Sequence, residues 1–206
     1  MRTAAALSLL TAVTLALSGC STAQDQAGES ATSAAASQTS TDAAALPEPV
    51  AAQLAALGVP TDDVKELITT LDQVEQARPL AVQASVRHDE VIVTDGQQEA
   101  TLAVPGDEVY VSVAPYVQQT HDCFFHALGG CQGELVGAQV HITITDSDGE
   151  VLVDEDATTY ANGFVGYWLP KDRTGTIEIT QGDRSGMVEL DTGPDGATCI
   201  TTLQLR

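Results

Sequence analysis

The chain has 206 residues, a formal net charge of −21 at pH 7 and a sequence pI near 4.1. Because a chain this acidic repels phosphate backbones, we do not expect it to bind nucleic acid. The acidity favours solubility and attracts cations without discriminating among them, so it is not by itself a sign of a metal site.

The first twenty residues have the pattern of an export signal. Arg2 supplies one positive charge, and residues 4–17 form an apolar run that is shorter than the roughly twenty residues of a membrane-spanning helix. Ser18 and Gly19 directly before Cys20 resemble the lipobox of bacterial lipoproteins, which implies acylation of Cys20. We therefore predict a lipoprotein signal peptide at residues 1–19 and an exported chain, anchored by lipid at the extracytoplasmic face of the membrane in the cell envelope. The alternative is an ordinary cleaved signal peptide.

Residues 20–46 are predicted to form a disordered tether. After Cys20 this segment consists mainly of Ala, Ser, Thr and Gln and has no aromatic or β-branched aliphatic side chain. It cannot bury enough apolar surface to offset the entropy of ordering. The remaining residues, about 160, suffice for one domain with a sizeable core.

Residues 47–79 are predicted to be a short helical region. In a first helix, Val50 and Leu54 share one face, and Gly58 with Pro60 follows its end. In a second helix, apolar residues recur at intervals of three and four, namely Val64, Leu67, Ile68, Leu71 and Val74. These apolar faces need a partner, either the sheet that follows or a second copy of the chain.

Residues 80–206 are predicted to form a β-rich domain that carries the metal site. Residues 91–94 and 100–104 flank the turn dipeptide Asp95-Gly96 and predict a hairpin. Further short strands are predicted at residues 110–113, 140–145, 151–153, 164–169, 176–180, 187–190 and 199–205. Because no helices separate these strands, the pattern favours antiparallel pairing. The predicted fold class is α+β, a helical N-terminal region followed by an antiparallel β-sandwich or barrel-like domain.

Two histidines and two cysteines lie within eleven residues, in the order His121, Cys123, His126 and Cys131. Thiolate and imidazole are ligands that copper(I) and zinc favour, so the cluster predicts a metal site. A disulfide between Cys123 and Cys131 is the alternative interpretation, and such a bond could also form reversibly at a metal site.

The cysteine count favours more than a simple disulfide. If Cys20 is acylated, Cys123, Cys131 and Cys199 remain, and three cysteines cannot all pair within one molecule. Cys199 shares a strand face with Leu203 and Leu205, which indicates that its thiol points inward and can reach the cluster. A small buried core residue is the alternative role for Cys199.

The sequence contains no G-x-S-x-G elbow, P-loop, dinucleotide-binding glycine pattern or H-E-x-x-H helix. We therefore do not expect an enzyme of organic chemistry. Three alternatives to a copper protein stay open: a disulfide-stapled lipoprotein module that binds or interacts without metal, a structural zinc site, and a thiol oxidoreductase. The last is disfavoured because the cysteines are not in a C-x-x-C arrangement.

Residues 116–126 and 131–134, together with residues 162–166, 168–170 and 199–203, resemble the CueP family of periplasmic copper-binding proteins. The resemblance implies copper sequestration and copper resistance, with Cys123, Cys131 and Cys199 acting in copper binding and thiol redox chemistry. It also implies reduction of copper(II) to copper(I) and a homodimer formed through the N-terminal region. On this basis we expect a copper(I) site of these three cysteines with help from His121 or His126. We also expect a thiol-disulfide reductase or a copper acceptor protein as a partner.

Overall fold

A computed structural model describes residues 45–206. The predicted signal peptide, the acylation site at Cys20 and residues 20–44 of the predicted tether lie outside the described residues. Two helices, α1 (Glu48–Ala56) and α2 (Val64–Gln73), come first. Ten strands follow: β1 (Gln83–Val86), β2 (Glu90–Thr94), β3 (Glu99–Ala103), β4 (Glu108–Val113), β5 (Gln139–Asp146), β6 (Val151–Thr158), β7 (Val165–Pro170), β8 (Thr174–Gln181), β9 (Arg184–Asp191) and β10 (Cys199–Ile200). Neither helix of this described part is long and apolar enough to cross a membrane.

The strands form three sheets, with the orders β1-β2-β3, β10-β4-β7 and β6-β5-β8-β9. Every pair is antiparallel except β10 with β4, where Cys199 lies opposite Ser112 and Ile200 opposite Val113 in parallel register. The predicted fold class, two short helices followed by mostly antiparallel sheets, is confirmed.

Two hydrophobic cores share strand β4. In the first core both helices pack on the sheet β1-β2-β3, where side chains alternate strictly between buried and less buried positions. The sheet that follows the helices in the chain therefore covers their apolar faces. In the second core the sheet β10-β4-β7 packs on the sheet β6-β5-β8-β9. Because β4 is buried on both faces, Tyr110 belongs to the first core and Val111 to the second.

A third, smaller cluster lies just beyond the end of β4. It contains buried Ala114, Cys131, Phe164 and Cys199, with Cys123 and Ala127 packed against it. Three of these six residues belong to the long connection between β4 and β5, one follows directly after β4, one lies just before β7 and one begins β10. The sulfur-bearing residues are therefore buried as a group of their own, apart from the two main cores.

The connection between β4 and β5 runs alongside β1. The amide of Val86 donates to the His126 carbonyl at 2.9 Å, the amide of Leu128 donates to Ala84 at 2.9 Å, and Leu80 donates to Gly129 at 2.8 Å. These bonds satisfy backbone groups that an edge strand would otherwise leave to solvent. They also fix the position of residues 126–129 relative to the sulfur cluster.

Gly129 is required by close packing. A Cβ atom at this position would overlap the backbone carbonyl oxygen of Val82. Its neighbour Gly130 has more freedom, since an added Cβ there would first meet the flexible side chain of Gln83 at 3.0 Å. Close packing against the chain just before β1 therefore requires glycine at 129 but not at 130.

We predict that Gly129→Ala lowers the free energy of unfolding by about 1–3 kcal/mol, because the backbone of either β1 or the connection must move. Gly130→Ala is the matched control and should cost clearly less. Urea unfolding of both variants measures the difference, and equal stabilities would contradict this role of Gly129.

Candidate metal centre

Four of the five predicted ligands converge in the structure. The ligand atoms of His121, Cys123, Cys131 and Cys199 all lie within 4.8 Å of one another. The Sγ atoms of Cys123 and Cys131 are 3.4 Å apart, and all three cysteines are free thiols. Residues separated by some seventy positions in the chain therefore meet at one point.

Backbone hydrogen bonds bring Cys199 to Cys123. The Phe124 carbonyl accepts from the amides of Thr198 at 3.0 Å and Cys199 at 3.1 Å. On the other side of the same segment, the amide of Ser112 donates to the Thr198 carbonyl at 3.0 Å, which anchors it to β4. Cys131 is turned back toward the pair by its own amide, which donates to the Ala127 carbonyl at 2.8 Å.

The segment that leads to His121 is held at two points. Before it, the Glu134 carboxylate accepts hydrogen bonds from three successive amides, at residues 117, 118 and 119. The hydrogen bonds from Gln118 and its neighbours lower the pKa of Glu134. Next to His121, the Thr120 hydroxyl donates to the Thr201 carbonyl at 2.6 Å. The Nε2 atom of His121 is buried and has no hydrogen-bonding partner within residues 45–206.

His126 occupies a different place from the other predicted ligands. It is fully buried, and its Nε2 donates to Asp72 Oδ1 at 2.8 Å. Its ring lies against Phe164, with 4.5 Å between ring centroids. It stands outside the four-residue group, but it lies close enough to Cys131 to affect the pKa of that thiol.

Asp72 is a central residue that the sequence analysis did not identify. Its fully buried carboxylate accepts from Tyr110 Oη and Ser112 Oγ at 2.9 Å each, from Asn162 Nδ2 at 2.7 Å and from His126 Nε2. The available signal was its position in α2, eight residues after Val64 and four after Ile68, where the apolar stripe should continue. An acidic residue at such a position must be paired when buried.

The three sulfurs differ in access to solvent. Cys199 is 2% exposed and Cys131 is 8% exposed, whereas Cys123 is only half-buried. An open depression lined by His121, Cys123, Gly130 and Cys131 leads to the cluster. Phe124, beside this opening, is half exposed. An ion can therefore enter from one side and meet Cys123 first.

The buried acid and imidazole stabilise each other's charge. Burial alone would lower the pKa of His126, but the Asp72 carboxylate outweighs burial and raises it to about 9. Burial alone would raise the pKa of Asp72, but His126, Tyr110 and Ser112 hold it below its usual value. Asp72 and His126 therefore form a buried ion pair at neutral pH.

One of the three thiols loses its proton more readily than the other two. Hydrogen bonds from Cys123 and Cys199, together with the neighbouring His126, hold the pKa of Cys131 far below its usual value. The interaction with Cys131 in turn raises the pKa of Cys123 to about 11. Interactions with Cys123 and Cys131, together with burial, raise the pKa of Cys199 well above its usual value. The metal-free site thus holds one thiolate next to two thiols.

The donor set fits a soft metal ion. Thiolate sulfur binds zinc at about 2.3 Å, so three sulfurs around one such ion stand about 4 Å apart. The present group, with one separation of 3.4 Å and all others within 4.8 Å, comes close to that arrangement without a large rearrangement. Fold and site together define a small, mostly antiparallel β protein with a cysteine-rich candidate site for a soft metal.

Comparisons with known proteins lead from this class to a family. The profile of a family described as "Periplasmic copper-binding protein CueP" matches residues 66–204. A solved structure titled "Crystal Structure of S.CueP" matches with a TM-score of 0.72 and 39% sequence identity, covering 79% of this chain and 99% of that chain. The search of curated proteins found no match. The chain belongs to the CueP family, whose members are described as periplasmic and copper-binding.

We predict that the stability of the reduced, metal-free protein depends on pH through His126. Because its folded pKa of about 9 lies above the ordinary 6.5, the stabilisation is complete below about pH 6.5 and is lost as the pH rises through about 9. Urea unfolding from about pH 6 to pH 10 should show this loss in the native chain.

His126→Gln is the comparison variant for this titration. In this comparison both proteins carry Cys131→Ser, because His126 also lowers the pKa of the Cys131 thiol, so the difference between the two stability curves isolates the imidazole. The difference should shrink with rising pH, and parallel curves would contradict the assignment of the ion pair.

Proposed function

We propose that this protein binds copper(I) outside the cytoplasm through Cys123, Cys131 and Cys199, and so sequesters copper in copper resistance. The convergence of three sulfurs from distant parts of the chain is the observation that carries the proposal. Membership of a family described as periplasmic and copper-binding supports the choice of metal. Thiolates are ligands that soft ions such as copper(I) favour.

His121 is proposed as an additional ligand. Its buried Nε2 has no protein partner among the described residues, and an unpartnered buried nitrogen is costly unless it binds something. One ring nitrogen of His121 lies within 4.8 Å of all three sulfurs. His126, whose Nε2 already donates to Asp72, is better suited to support the site than to coordinate the ion.

Loss of any one of the three thiols should weaken copper(I) binding by at least about tenfold, since each supplies one soft ligand. Competition with a chromophoric copper(I) chelator, without oxygen, measures this for Cys123→Ser, Cys131→Ser and Cys199→Ser. His121→Ala should have a smaller effect than any of these variants.

His141→Ala is the matched histidine control for this series. His141 lies on β5 and contacts Asp154 and Asp156 at 2.9 and 3.0 Å, so its loss should leave copper(I) binding unchanged. Undiminished binding in a variant lacking all three thiols would refute the proposed site. A protein that retains no copper and keeps a closed Cys123–Cys131 bond under cellular reductants would favour a stapled interaction module.

We also propose that Cys123 and Cys131 reduce copper(II). Two thiols give one electron to each of two copper(II) ions, which yields one disulfide, two copper(I) ions and two protons. The 3.4 Å separation of the two sulfurs supports this step, because only a small movement forms the bond. A thiol-disulfide reductase must then restore the thiols, and a copper acceptor protein would remove the copper(I).

Adding copper(II) to the reduced protein without oxygen should produce about two copper(I) per disulfide formed, as the electron balance requires. A copper(I)-specific chelator counts the ions, and mass spectrometry locates the disulfide. Cys123→Ser should lose the reaction, whereas Cys199→Ser should keep it but retain copper(I) less tightly. Formation of copper(I) with all thiols still free would contradict this step.

Zinc is the second candidate metal, because three cysteines and one histidine are also a typical tetrahedral zinc set. Retention of zinc against an equal amount of copper(I) would favour it. The lipid anchor at Cys20 and a homodimer through the N-terminal region also belong to the proposal. The apolar faces of α1 and α2 are already buried within the chain, so such a dimer would use other surfaces of the helices.

A further inference from the structure

We propose that Asp72 is a positioning residue for the copper site: from α2 it fixes both chain segments that flank Cys131, without contacting the metal. The inference rests on the proposed copper function and adds a residue that lies eight positions before the predicted β-rich region begins. It also gives the helical region a direct part in building the site.

The carboxylate of Asp72 has two sides with different partners. Oδ2 accepts from Tyr110 and Ser112, both on β4, at 2.9 Å each, which anchors the carboxylate to the central strand. Oδ1 accepts from His126 at 2.8 Å and from Asn162 at 2.7 Å. The first side therefore holds the carboxylate in place, and the second side reaches toward the sulfur cluster.

The His126 side fixes the chain before Cys131. With Nε2 bound to Asp72, the ring can lie in only one orientation, against Phe164 of the sulfur cluster. The backbone of His126 is tied as well, since its amide donates to Thr198 Oγ1 at 3.0 Å. From this fixed residue the turn that carries Cys131 begins.

The Asn162 side fixes the chain after Cys131. While its Nδ2 binds Asp72, the side-chain oxygen of Asn162 accepts from the Phe164 amide at 3.0 Å. Its backbone carbonyl accepts from the amide of Gly133, two residues after Cys131, at 2.7 Å. Glycine at 133 and at 163 permits this close approach, because a Cβ on either would overlap the other's backbone. Cys131 is therefore held between two segments that meet at one oxygen atom.

A second contact from the end of α2 supports this assignment. Arg78 donates to the carbonyls of Asp72 at 3.0 Å and Val74 at 2.6 Å, and also to the Leu128 carbonyl at 3.3 Å. The guanidinium thus joins the last turn of α2 to the segment between His126 and Cys131. Buried groups that orient the surroundings of metal ligands typically change metal affinity by about 10–100-fold when removed.

The test compares two substitutions of Asp72 that differ in hydrogen bonding. Asp72→Asn keeps an oxygen for His126 and Asn162, and its NH2 group can donate to the hydroxyls of Tyr110 and Ser112, which rotate to accept. Asp72→Leu keeps the volume but removes every acceptor. The measurements are copper(I) affinity by chelator competition, X-ray absorption of the copper-loaded protein and thermal unfolding without metal.

We expect Asp72→Leu to bind copper(I) at least about tenfold more weakly and with a changed copper–sulfur shell. Asp72→Asn should stay within about threefold of the native affinity, since its bonds to both flanks are kept. Thr69→Ala is the matched control: it removes another tertiary hydrogen bond of α2, which Thr69 Oγ1 accepts from Trp168 Nε1 at 3.0 Å, and should leave affinity and spectrum unchanged even where it lowers thermal stability.

A folded Asp72→Leu protein with native affinity and spectrum would overturn the proposal. So would a Thr69→Ala protein that loses as much affinity as Asp72→Leu. If Asp72→Leu does not fold, Asn162→Ala decides, because it frees one flank while the carboxylate stays anchored. Weakened binding in that variant supports the positioning role, and native binding refutes it. Failure of the copper proposal itself is separate, since it would show as absent or thiol-independent binding in the native chain.

Discussion

The carbonyl oxygen of Phe124 binds the amides of both Thr198 and Cys199, and the sulfur cluster depends on this contact. It is a backbone contact, so it places the cysteine at 199 without requiring any particular neighbouring side chain. The same segment is anchored to β4 on its other side. Because β4 is buried on both faces, this anchor is among the most rigid parts of the described chain. The position of Cys199 is thereby tied to both main cores.

Charge limits what the metal-free site can hold. One thiolate is stabilised by two thiols and by the His126 imidazolium, whereas a second negative charge beside the first is strongly disfavoured. A metal ion bound by the thiols would supply the positive charge that lets more sulfurs deprotonate, so metal binding would release protons. The buried ion pair below the cluster keeps a positive group near the sulfurs, while the molecular surface is strongly acidic. The thiol donors thus fit a soft metal ion.

Local patterns were sufficient for most of the fold. The hairpin at Asp95-Gly96 and the alternation along β5 agree with the structure because turn chemistry and a period of two are written in adjacent residues. Strand β1 was not predicted, since four residues without a turn signal give too little pattern. Residues 199–205 are predicted to form the last strand, but in the structure β10 contains only Cys199 and Ile200. Its parallel pairing with β4 depends on tertiary packing that a local pattern does not encode.

Part of the candidate site could also be predicted from local sequence patterns. His121, Cys123 and Cys131 lie close in sequence, and the inward face of the last segment pointed to Cys199. The separate place of His126 was not readable, because it depends on Asp72, fifty-four residues earlier in the chain. An acid on an apolar helix face was the available signal. Its partners become visible only when α2, β4 and the connection after it are seen together.

The parallel pairing of β10 with β4 also sets the order in which the site can come into existence. β10 follows every other strand in the chain, and it brings the third sulfur. Because a chain is synthesised from its N-terminus, the two earlier cysteines are present well before the last one. Until then they form an incomplete dithiol, exposed to oxidants and to stray metal ions. A protein shortened at this end by proteolysis would lose the sulfur at 199, and with it the complete thiol trio, together with the part of the second core formed by Ile200, Leu203 and Leu205.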